Sequence, residues 1–137
     1  VMNIKIKNLL LGMMMVLIGT FFQSNVLAHA DHDKDAIIIK MADIMISLEH
    51  FPTSGDQKIL QSVMDSNSST EQEKIIANAI MNIQHQATAE DQQKLQKIID
   101  GTAPTSTVST LASIVQGFSH GISKTDKRKL LTIKFKG

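Results

Sequence analysis

The chain has 137 residues, 14 Lys and Arg against 13 Asp and Glu, and no Cys, Trp or Tyr. Without cysteine there is no disulfide, no thiolate nucleophile and no cysteine metal ligand, so stability must come from packing. Without Trp and Tyr the usual stacking platforms for sugars and nucleobases are missing, and nucleic acid is not an expected partner.

The N-terminal segment reads as an export signal. Lys5 and Lys7 form a positive region, Leu9 to Phe22 is apolar, and small residues follow. The expected signal peptide is 1–28, with cleavage after Ala28 or Ala30, leaving a domain over 29–137. The apolar run is shorter than the ~20 residues that span a bilayer, so no stable membrane span is expected after cleavage. The expected location is periplasmic or extracellular. Next comes a tract with His29, Asp31, His32 and Asp33. Imidazole and carboxylate together suit Cu or Zn, which makes this tract a candidate metal site. The competing reading is a solvated tail. No other cofactor is expected.

From here the chain repeats itself every 35 residues without a gap. Ala42, Ala77 and Ala112 form one column, and His50, His85 and His120 a second. Thr53, Thr88 and Ser123 form a third, and Asp56, Asp91 and Asp126 a fourth. Leu60, Leu95 and Leu130 form a fifth. A fixed period of this length marks units that bury their apolar faces against one another. The expected fold is all-α: three tandem αα-hairpin repeats over 31–65, 66–100 and 101–137, six helices in a short solenoid or compact bundle. The period is near that of tetratricopeptide units, but the Trp and Tyr of their signature are absent.

In the first repeat Asp35 stands in the cap column with Thr70 and Thr105, ahead of a helix over 36–49. Met41, Met45 and Leu48 are its core. Thr53 with Asp56 opens a second helix that buries Leu60, Val63 and Met64. In the second repeat Thr70 with Glu73 is a capping box, in which each side chain satisfies a free amide at the helix start. The helix over 71–85 buries Ile76, Ala79, Ile80 and Ile83, and His85 closes it. Thr88 with Asp91 opens the next helix, which buries Leu95, Ile98 and Ile99 and ends near Gly101. In the third repeat Val108, Leu111, Val115 and Phe118 are core, Ser123 with Asp126 is the cap, and Leu130, Ile133 and Phe135 close the chain. Pro52 and Pro104 fall in connections. The alanine column lets paired helices approach to the ~8–10 Å of packed axes.

Equivalent residues of stacked helices should lie ~8–10 Å apart. Ligands of one zinc must lie within ~2.1 Å of it. The histidine column is therefore expected to be structural, unless the stack is sharply bent. Each imidazole is expected at a helix end, donating to free carbonyls or meeting the Thr or Asp of the next cap.

Charge is uneven along the chain. Residues 31–65 hold 3 basic and 7 acidic groups, a balance of −4, whereas 101–137 hold 6 and 1, a balance of +5. The first helix is apolar on more than one face, Ile39 and Ile46 included. Either it is buried on both sides or its outer face meets a partner. Complementary ends suggest head-to-tail self-association through Ile39, Ile46, Lys127, Arg128 and Lys129. No Gly-rich phosphate loop or nucleophile elbow is present, and no enzyme is expected. The functional expectation is an exported, non-catalytic protein-binding or scaffold module. The alternatives are metal binding at the N-terminal tract and docking of the basic C-terminal end on an anionic surface.

Overall fold

A computed structural model describes the backbone of residues 26–136 and the side chains of residues 36–135. Most of the expected signal segment lies outside these residues, as do the side chains of His29, Asp31, His32 and Asp33. The described chain is all-helical. Its elements are α1 (Val26–Ser47), α2 (Ser54–Asp65), α3 (Glu71–Met81), α4 (Ala89–Gly101), α5 (Thr107–Gln116) and α6 (Lys124–Lys136). No strand occurs among the described residues.

The helix starts follow from the capping residues. Thr53 and Thr70 each accept from the amide three residues on, and the Asp56 and Glu73 carboxylates return the bond to the cap amide. At α4 the Thr88 Oγ1 accepts from the Asp91 amide at 3.1 Å. Asp91 Oδ2 then takes the Thr88 hydroxyl at 2.7 Å and the Asn82 side-chain amide at 3.1 Å. Ser123 and Asp126 pair in the same way at α6. Glu73 and Asp91 are each only 2% exposed, so these bonds satisfy carboxylates already withdrawn from water.

Two expected caps move. α1 runs unbroken from Val26, so Asp35 lies inside it rather than at its start. No Gly or Pro interrupts 26–47, and nothing local ends the helix there. α5 is capped by Ser106, not Thr105. The Ser106 amide closes a turn on Ala103 O at 2.9 Å, with Pro104 inside the turn, and that turn delivers Ser106 to the cap position. α3 also stops at Met81, with Asn82 as its C-cap, four residues short of His85.

The packing closes on itself. α1, α3 and α5 touch one another in all three pairs. Around them α2 packs on α3, α4 on α5, and α6 returns to α1. Ala42, Ala77 and Ala112 are fully buried, as are Leu60, Leu95 and Leu130. The alanines stand on the three mutually packed helices, where a larger side chain would hold the axes apart. The leucines come from the three outer helices and complete the same core.

This closure accounts for the apolar first helix. α1 has neighbours in α2, α3, α5 and α6. Ile39 and Ile46 are half-buried, and Ile46 packs on the core. The acidic and basic ends meet within one molecule, where Lys134 Nζ stands 2.6 Å from Asp43 Oδ1. Both side chains remain partly exposed, so the pair contributes at most about 1 kcal/mol. Phe135, expected in the core, is 76% exposed. Ile133 is the last core residue, and Phe135 stands on another face of α6.

Thr88→Ala should lower stability by about 0.5–2 kcal/mol, the usual loss of a capping hydroxyl. Asp91→Ala should cost at least as much, because it also leaves the Asn82 side-chain amide without its acceptor. The double variant should be less than additive, since the two side chains bond to each other. Urea unfolding of the four proteins checks this.

Candidate functional site

Three loops join each inner helix to its outer helix: 48–53, 82–88 and 117–123. Each carries one histidine three residues ahead of the next capping hydroxyl. The loops bond to each other through their backbones. The His85 amide donates to His50 O at 2.7 Å, and the His120 amide donates to His85 O at 2.7 Å. Gln86 also bridges to Ser119. Chains bonded in this way run at sheet spacing, ~4.7–4.9 Å, not at helix spacing.

The rings follow the backbones. The His50 and His85 centroids are 4.9 Å apart, those of His85 and His120 are 5.2 Å apart, and those of His50 and His120 are 6.2 Å apart. One ring nitrogen from each lies within 4.8 Å of the other two. The expected separation of 8–10 Å is therefore wrong for these residues. It applied helix-axis spacing to side chains that sit beyond the helix ends, on loops drawn together by hydrogen bonds. The expected capping role is not seen either. Among the described residues no histidine ring hydrogen-bonds a helix carbonyl or a capping Thr or Asp. The main chain of the histidines bonds instead.

This convergence is held in an unfavourable backbone conformation. His85 has φ 71° and His120 has φ 60°, and they are the described non-glycine residues at positive φ. Left-handed backbone is uncommon outside glycine, although His, Asn and Asp tolerate it better than most. Glycine would adopt it freely. The imidazoles stand where their own backbone gains nothing from having a side chain.

The chemistry available is that of three nitrogen donors on one face. Tetrahedral zinc with nitrogen ligands at ~2.1 Å needs those nitrogens about 3.4 Å apart. The ring nitrogens lie within 4.8 Å of one another, wider than that spacing but within the reach of rotamer changes in exposed side chains. All three histidines are exposed, and no carboxylate joins the cluster among the described residues. Two hollows of about 310 and 620 Å³ lie elsewhere and contain no histidine.

The other candidates do not join this site. His29, Asp31, His32 and Asp33 belong to the N-terminal stretch of α1, whose side chains are outside the described residues. Lys127, Arg128 and Lys129 are exposed on the first turns of α6, and Lys129 Nζ lies 3.3 Å from Asp126. No protein-family profile, curated protein or solved structure matches the chain.

His85→Gly and His120→Gly should each leave stability unchanged or raise it by up to about 1 kcal/mol, because glycine accepts positive φ without a Cβ penalty. A residue that capped a helix with its side chain would show a loss instead. Urea midpoints of the two variants against the parent protein decide between these outcomes.

Proposed function

We infer that the protein binds a divalent transition-metal ion, Zn²⁺ or Cu²⁺, through His50, His85 and His120. The observation that carries this reading is the placing of three ring nitrogens within 4.8 Å of one another. Imidazole is a good ligand for both ions, and three neutral imidazoles match the nitrogen count of zinc sites that keep one position open. Strain at His85 and His120 supports the same reading, since residues held in sparsely populated conformations concentrate at functional sites.

The architecture we propose for this function is three 35-residue helix pairs closed about a common axis. Each pair contributes one loop, and each loop one histidine. The chain is an exported, non-catalytic binding protein on this reading, with the signal expected over 1–28. The N-terminal His and Asp tract is a separate metal candidate. His32 lies at least 15 helical residues before the end of α1. At ~1.5 Å per residue this is more than about 20 Å along the axis, too far to complete the triad.

Calorimetric titration of the full chain should show one equivalent of Zn²⁺ taken up at the triad. His85→Gln should weaken this event at least tenfold. The pair His29→Ala and His32→Ala should leave it in place. Loss of the event in the second protein, with retention in the first, would move the site to the N-terminal tract.

A further inference from the structure

The triad supplies three ligands and stops there. No Asp, Glu or Cys joins the three imidazoles among the described residues. The set is exposed at all three positions, so nothing walls off the side of the ion facing away from the loops. The two hollows lie at other places on the molecule. Among the described residues no protein group hydrogen-bonds a histidine ring, so no side chain or carbonyl braces the three ligands in the way that second partners brace those of structural and catalytic metal sites.

Each of these features bears on how the ion would leave. A buried four-ligand site releases its ion only after its own bonds break. A three-ligand site on a surface can take in a new ligand first. The position left open by three neutral nitrogens is filled by water, which a stronger donor displaces. The ion in question is one that three imidazoles select, and such ions favour further imidazole over carboxylate or water.

Resting on the metal-binding reading above, we propose that the ion at the triad accepts an external imidazole in its outward position and is handed on to a histidine-bearing acceptor by ligand exchange. The protein is then a donor of the ion, and the triad face is where the acceptor docks. His50, His85 and His120 hold the ion from below while the entering imidazole approaches from solvent. As further acceptor nitrogens bind, the unbraced rings rotate away one at a time. No electron or proton transfer is required beyond deprotonation of the entering imidazole if it arrives charged.

Two measurements on the full chain test this. In the first, protein loaded with one equivalent of Co²⁺ is titrated with free imidazole while the visible d–d absorption is followed. A saturable change in band position and intensity is expected as nitrogen replaces water. In the second, Zn²⁺-loaded protein is mixed with excess 4-(2-pyridylazo)resorcinol. The transfer rate should rise in proportion to chelator concentration. A spectrum unmoved by imidazole, or a transfer rate independent of chelator concentration, overturns the proposal while leaving the triad as a metal site. His120→Gly, whose backbone suits φ 60°, serves as the control. If this variant takes up Co²⁺ as tightly as the parent protein, metal binding at the triad itself fails.

Discussion

Two backbone hydrogen bonds decide the arrangement of the rest. The His85 amide on His50 O and the His120 amide on His85 O, both at 2.7 Å, tie together loops that are 35 residues apart in the chain. Loops joined at sheet spacing cannot belong to a straight stack whose units advance by a helix diameter. The inner helices must instead converge toward the loops. α1, α3 and α5 touch in every pair. Fully buried alanines at 42, 77 and 112 are the side chains that allow this approach. Once the inner helices converge, the third outer helix has only one apolar surface left to cover, that of α1.

Closure costs something in the loops and gains more in the core. Two histidines in left-handed backbone are destabilising by up to about 1 kcal/mol each relative to glycine. Against this stand the buried side chains of one continuous core that draws on all six helices, from Ile37 on α1 to Ile133 on α6. A fully buried aliphatic side chain contributes roughly 1.5–3 kcal/mol, so covering the outer face of α1 readily outweighs two strained residues. A linear stack would have left that face in water. The capping carboxylates belong to the same economy of position. Glu73 and Asp91 are withdrawn from solvent, and their bonds to Thr70, Thr88 and Asn82 make that burial tolerable.

Much of this is legible in the amino-acid pattern, and the departures from it have two causes. Alanine and leucine columns carried information about burial, and those residues are fully buried. Hydroxyl and acid three apart carried information about local capping, and Thr53, Thr70, Thr88 and Ser123 all cap. These are short-range or face-level properties that a period of 35 preserves. At Asp35 and Thr105 the local chain overrides the 35-residue column. An uninterrupted helical stretch runs through the first, and a proline turn shifts the second by one residue. The histidines failed differently. Their separation depends on whether the units stack in a line or close in a ring, which is a property of the assembly of units and not of any one of them. A clue was present: each histidine stands three residues ahead of a capping hydroxyl, and so on a loop rather than a helix face.

The closed arrangement also changes the meaning of the charge gradient. Read along the chain, an acidic beginning and a basic end invite association between copies. In the folded molecule α1 and α6 are neighbours, and Lys134 meets Asp43 across them. That one pair joins the two ends of the described chain, while Lys127, Arg128 and Lys129 stay exposed on the first turns of α6. The same closure brings the third loop up to the second and leaves the first loop on their other side. Ring proximity at one end of the molecule and charge complementarity along its seam are two results of one topology. The three imidazoles of the candidate site come from the loops 48–53, 82–88 and 117–123, and no other His, Asp or Glu joins them among the described residues.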